Sequence, residues 1–142
     1  MSGHPRVVSY LQRALNHEMA AMQQFTLQAA LAGSLGLPGF AQDLRAGACE
    51  ELSHAEAFAA ALLAMGVAAR CGLTRSFPIG RSREEILRFG METERQAIRL
   101  YAEACAYCES TAEAAYQDLF ARVLADEQQH YRMLEKQLAG SG

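Results

Sequence analysis

The sequence predicts an all-α protein, a four-helix bundle with one long crossover between its second and third helices. Composition is the first reason: 51% of the residues are apolar, only three are proline, and good helix formers dominate. Spacing is the second, because apolar residues recur every three or four positions in four separate stretches. The connections are the third, reading short, long, short along the chain. At 142 residues the chain is expected to be a single domain (1–142), long enough to bury a real core.

The first helix should start near Pro5, since proline suits a first helical turn. Its stripe is Leu11, Leu15, Glu18, Met22 and Phe25, and it should end around Gly33-Ser34-Leu35-Gly36. The second helix begins near Pro38 and stops around Gly66, with Phe40, Leu44, Gly47, Glu51, His54, Phe58, Leu62 and Met65 on one face. Residues 67–81 hold Gly72, Pro78 and Gly80 and read as the crossover. Ser82-Arg83-Glu84-Glu85 is a capping box that opens the third helix, whose stripe is Leu87, Met91, Glu94, Ile98, Tyr101, Cys105 and Cys108. Ser110-Thr111-Ala112-Glu113 reads as a second capping box opening the fourth helix, which carries Phe120, Val123, Glu127, His130, Leu134 and Leu138. Short loops make antiparallel hairpins of helices one and two and of three and four. The long crossover lets two and three run parallel.

Charge and targeting signals exclude several classes. The net charge of −3 gives no footprint for nucleic acid. The first eight residues lack an apolar signal-peptide core. The uncharged run 57–69 is too short to span a bilayer. With four cysteines and no secreted-scaffold character, a reduced, cytoplasmic setting is expected.

Glu51-Leu52-Ser53-His54 and Glu127-Gln128-Gln129-His130 are two copies of Glu-x-x-His. Each follows another glutamate by 33 residues, Glu18 before Glu51 and Glu94 before Glu127. All six residues fall on the apolar stripes, where no Lys or Arg accompanies them. Four carboxylates in one core repel each other and demand compensation, and two divalent cations would balance them. Residues three apart share a helix face, so each Glu-x-x-His can hold one ion while carboxylates bridge. Oxygen with imidazole suits iron or manganese, with zinc and copper as further binders. The competing reading is a buried network of protonated acids, which the repetition in both halves disfavours. Such a ligand set is the pattern of carboxylate-bridged dimetal bundles of the ferritin-like kind.

At these residues the sequence resembles the bacterioferritin family, from about Val7 to Leu138. The matching stretches are Leu15-Asn16-His17-Glu18, Gln23-Gln24-Phe25, Glu51-x-x-His54-Ala55 and Asp126-Glu127-x-x-His130. The resemblance implies a ferritin-like fold and two ferrous ions per subunit. It makes Glu18 and Glu94 terminal ligands, Glu51 and Glu127 bridges, and His54 and His130 the remaining ligands. It further implies ferroxidase activity: Fe²⁺ oxidised with dioxygen or peroxide, and the ferric product stored in a hollow homo-oligomeric shell. Four features depart from the family. Leu52 stands where the haem-ligating methionine is expected, so no haem is implied. Phe25 and Phe58 replace central tyrosines. A fifth helix is not expected after Leu138. Ala46 and Glu50 occupy the positions of an inner-surface iron site and leave it one carboxylate.

The leading expectation is therefore a di-iron protein that oxidises ferrous iron for storage or detoxification, as a dimer through helices one and two or as a larger shell. The alternative is a non-storage di-iron redox enzyme reducing peroxide or dioxygen as a small oligomer. A metal-free helical interaction module is the third reading, and the inward carboxylates count against it. No membrane or nucleic-acid partner is expected. Tyr101, seven residues after Glu94, could hydrogen-bond a ligand carboxylate, supply an electron, or simply fill the core. Cys105 and Cys108 form a C-x-x-C that reads as packing rather than zinc or redox chemistry. Cys49 and Cys71 read as incidental, and His4 as uninformative. His17 reads as an interface or surface residue, and Arg75, Arg81 and Arg83 as subunit contacts or solvated charges.

Overall fold

The computed structural model describes residues 5–70, 72 and 76–140. It contains α1 (Pro5–Ser34), α2 (Pro38–Ala64), α3 (Arg83–Ser110) and α4 (Ala114–Ala139). Among the described residues there is no strand, and no helix is long and apolar enough to cross a membrane. His4, Cys71 and Arg75 lie outside the described residues.

Side-chain contacts fix the topology. Glu18 meets His54, whereas Phe25 faces Gly47, so α1 and α2 run antiparallel. Tyr101 touches Phe120 while Leu134 approaches Gly90, so α3 and α4 do the same. Gln28 reaches Ile86 and Glu18 reaches Tyr101, which makes α1 antiparallel to α3. It follows that α2 and α3 are parallel, joined by the crossover.

The crossover is pinned by two buried amides on α1. Gln24 donates from Nε2 to the Pro78 carbonyl at 2.9 Å, and Gln28 to the Ile79 carbonyl at 3.0 Å. Thr93 donates to Gln24 Oε1 at 2.6 Å, so the same amide also ties down α3. His17, read as an interface or surface residue, also meets the crossover. It is half-buried, packs edge-on against Phe77 of the crossover, and places Nε2 3.2 Å from the Thr93 carbonyl.

The first capping box forms. Ser82 Oγ accepts from the Glu85 N–H at 3.1 Å, and Glu85 reaches back to the Arg81 N–H at 2.8 Å. Arg81 is exposed, while Arg83 lays its guanidinium 5.3 Å over the Phe40 ring. The second capping box does not form. Ser110 is still the last residue of α3, and its hydroxyl donates to the Tyr107 carbonyl. Instead α3 closes with a bond from the Glu113 N–H to the Cys108 carbonyl, with Ala112 in the left-handed region at φ 58°. The end of α1 closes the same way, Leu37 N–H to Ala32 carbonyl, with Gly36 at φ 76°. The N-terminus of α4, at Glu113, has no side-chain cap.

Most stripe residues are buried as expected, with Met22, Phe40, Gly47, Ile98, Cys105, His130, Leu134 and Leu138 only half-covered. On α3 the covered small positions are Ala97 and Ala104 instead. Cys108 is buried, Cys105 is half-buried with a weak contact to the Gln117 carbonyl, and both are free thiols, as is exposed Cys49.

Candidate metal centre

The structure brings all six sequence-predicted residues together at the bundle centre. Glu18, Glu51, Glu94 and Glu127 have no exposed surface, and His54 is nearly as covered. His130 is the most open of the six, its side chain 17% exposed. Their donor atoms form two groups: Glu18, Glu51, His54 and Glu127, and Glu51, Glu94, Glu127 and His130. Glu51 and Glu127 belong to both, which is the geometry a pair of bridging carboxylates needs.

Each imidazole turns Nδ1 inward. His54 Nδ1 lies 2.8 Å from Glu18, 3.3 Å from Glu127 and 3.5 Å from Glu51. His130 Nδ1 lies 3.4 Å from Glu127, 3.5 Å from Glu94 and 3.6 Å from Glu51. Nε2 points outward in both: His54 Nε2 to Asp126 Oδ2 at 2.9 Å, and His130 Nε2 to Glu50 Oε2 at 2.6 Å. An ionised carboxylate only accepts, so these contacts place a proton on Nε2 and leave Nδ1 to face the cluster.

Sequence reasoning missed Asp126 and Glu50 in this role. The signal was present: each directly precedes a Glu-x-x-His glutamate, and each supports the histidine of the opposite helix. Tyr101 is also resolved, because its hydroxyl donates to Glu18 Oε2 at 2.7 Å. Leu52 is exposed on the outer face of α2. Phe58 is fully covered against Tyr101, and Phe25 is buried.

The electrostatics show an incomplete set of partners. Both oxygens of Glu51, Glu94 and Glu127 are buried without a hydrogen-bond partner. Native proteins leave only a few such atoms per hundred residues, and seldom six in one cluster. Burial, then the charge of Glu127, pushes Glu18 up to about 7. Burial and the neighbouring glutamates raise Glu51 and Glu94 well above the usual carboxylate range. Burial would also raise Glu127, but the facing imidazoles of His130 and His54 hold it low. Burial opposes charge on His54 and His130, yet the surrounding carboxylates, Glu127 foremost, raise both, His130 to about 9. These groups share protons that cations could displace. Orphaned oxygens, inward Nδ1 atoms and shared carboxylates together fit two divalent ions.

Comparison with known proteins agrees with this architecture. The ferritin-like domain family matches residues 8–140. The chain is 28% identical to the bacterioferritin of Rhodobacter capsulatus over 98% of its own length and 86% of that protein's. It is 30% identical to a bacterial ferritin of Pseudomonas aeruginosa over 97% of its length and 90% of the relative's. The solved structure of the Rhodobacter capsulatus bacterioferritin superposes with a TM-score of 0.95, covering 98% of this chain and 87% of that one at 28% identity. That protein has a dinuclear site, metal-free in its structure, and a haem iron. The fold and site define a ferritin-like four-helix bundle with a candidate dimetal centre, and the chain belongs to the bacterioferritin family within that class.

Proposed function

We propose that the chain binds two ferrous ions on Glu18, Glu51, His54, Glu94, Glu127 and His130 and oxidises them for iron storage or detoxification. The observation that carries this reading is the set of buried carboxylate oxygens without partners, two of whose residues belong to both ligand groups. Fe²⁺ is here the substrate. Two ferrous ions give two electrons to one dioxygen, which takes two protons and leaves as hydrogen peroxide. Starting from peroxide, the same two electrons yield two waters. Paired ions allow a two-electron step without a released radical.

The chain's own part is charge balance, orientation and exclusion of water. Glu51 and Glu127 hold the two ions at one spacing. Asp126 and Glu50 fix the imidazole rings so that Nδ1 is the nitrogen turned toward the ions. Tyr101 holds one oxygen of Glu18 and so leaves the other to bind. Relatives named as bacterioferritins and bacterial ferritins support the storage part of the reading. We further propose that the chain works as a homo-oligomer in the cytoplasm.

Two measurements test it. Anaerobic titration with Co²⁺ should saturate at two ions per chain, and Glu51→Ala with His54→Ala should abolish both that binding and ferrous oxidation. Unchanged oxidation kinetics in the double variant would sink the assignment. Iron retained after repeated aerobic Fe²⁺ additions then separates storage, far above two per chain, from a redox enzyme that stops at two.

A further inference from the structure

The two halves of the bundle are related by a shift of 76 residues, which carries Glu18 to Glu94, Glu51 to Glu127 and His54 to His130. Around the centre the same shift pairs residues of unequal size. Phe25 corresponds to Tyr101, Leu44 to Phe120, Gly47 to Val123, and Leu134 to Phe58. On one side of the metal centre Phe58, Tyr101 and Phe120 are fully covered, with ring centroids 5.4 to 6.2 Å apart, and Val123 fills the remaining space. On the other side the smaller set leaves a cavity of about 80 Å³, lined by Phe25, Leu44, Gly47, Met133, Leu134 and His130.

Helix packing does not require the glycine. A Cβ at position 47 would come no closer than 4.0 Å to Phe25, an ordinary contact. Glycine inside a helix is less stable than alanine, so Gly47 leaves open space that a side chain could occupy. That space touches His130, the ligand with the most exposed side chain. The wall is mainly hydrocarbon, with exposed Asp43, half-buried Gln137 and His130 as its polar members.

We propose that this cavity is the route by which dioxygen reaches the metal centre, an inference that rests on the ferroxidase reading above. Dioxygen is small and nonpolar, so an apolar passage admits it without stripping any hydrogen bonds. Hydrated Fe²⁺ and peroxide lose strong solvation on such a path. The ion has a better approach where Glu50 and Asp126 stand beside the outer histidine nitrogens. The two approaches adjoin at His130 but differ in chemistry, one polar and one apolar.

The test transplants the filled side onto the open one: Gly47→Val with Leu134→Phe. Xenon, an apolar probe of such cavities, should bind the groove of the full-length protein under pressure, in crystals or by ¹²⁹Xe NMR, and the variant should lose it. Co²⁺ stoichiometry should stay the same, while the KM for dioxygen in ferrous oxidation rises several-fold. If the double variant does not fold, each single change narrows the cavity and carries the same readouts. Absence of xenon from the wild-type groove would overturn the route, as would an unchanged KM for dioxygen in a variant that has lost xenon. A wild-type chain that binds xenon there yet consumes no dioxygen with Fe²⁺ would instead overturn the functional reading, and the route with it.

Discussion

The pole of the centre at Glu18 and the pole at Glu94 share a ligand pattern but not an environment. Glu18 has two donors, Tyr101 at 2.7 Å and His54 at 2.8 Å. At Glu94 the residue corresponding to Tyr101 is Phe25, which has no hydroxyl, and neither Glu94 oxygen has a partner. His54 is sealed, whereas His130 borders a cavity. A repeat in the sequence therefore fixes where the candidate metal ligands stand, and the residues between them decide how each half is covered.

The largest expected effect comes from removing what both poles share. Glu127 belongs to both ligand groups and Glu18 to one. Glu127→Ala should cost both ions and lower ferrous oxidation by about a hundredfold or more, exceeding typical losses for outer supporting residues. Glu18→Ala should leave one ion near His130. Calorimetric titration with Co²⁺ counts the ions in each variant. Equal losses in the two variants would break the distinction between shared and terminal carboxylates.

Much of this candidate site was legible because the proposed metal ligation would constrain residue type and spacing at once. Glu18, Glu51, His54, Glu94, Glu127 and His130 could be named from two spacings and their place on apolar stripes. The supporting groups were harder, since their roles depend on contacts between helices far apart in sequence. Asp126 acts on His54, 72 residues away, and Gln24 on Pro78, 54 away. The fold was legible for a similar reason, because four stripes and one long loop leave few topologies. The end of α3 was misread because Ser-x-x-Glu fits both a starting cap and a chain that is closing the previous helix. The open side was hidden because a missing side chain at Gly47 looks, in sequence, like one more small residue on a stripe.

Next in size is the response of the metal-free chain to pH and to metal. Glu18 titrates near 7 in the folded protein against its ordinary 4.5, so the folded chain keeps a proton that the unfolded chain has lost. Stability must then fall as pH rises from 4.5 through 7. His130 is raised from 6.5 to about 9, and its contribution, complete below 6.5, is lost as pH climbs through 9. Both shifts have the same sign, so Tm of the metal-free chain should drop between about pH 5 and 9. Glu127, held low, acts at the acid end, where its contribution is lost as pH falls below 4.5. Metal displaces the shared protons, so the gain in Tm with Co²⁺ should grow with pH. One site at a hundred times its Kd adds about 2.7 kcal/mol. A metal-free chain whose Tm rises across that range would show that the carboxylates are not held protonated.

A single hydroxyl distinguishes the terminal glutamates. Tyr101→Phe would leave Glu18 Oε2 buried without its donor, at a cost of about 1–3 kcal/mol in the metal-free chain. The cost should shrink when metal is bound, because Oε2, released from Tyr101, can then turn to the ion alongside Oε1. Denaturant unfolding with and without Co²⁺ reads both values. A penalty of equal size in both states would mean that Tyr101 serves packing alone.

The smallest effect lies at the turns, where the two halves also differ. The shift of 76 residues carries Gly36 to Ala112, and both sit in the left-handed region, at φ 76° and 58°. Both close a helix with the same type of bond, Leu37 N–H to Ala32 and Glu113 N–H to Cys108. Glycine adopts that conformation freely, whereas alanine bears about 1–2 kcal/mol of steric cost. Ala112→Gly relieves that cost but adds freedom to the unfolded chain, so the net gain should be about 0.5–1 kcal/mol. Gly36→Ala should lose a similar amount. Chemical denaturation with an unchanged slope checks both. Opposite signs of similar size would establish that the two turns share one conformation and differ only in how well the residue at its centre suits it.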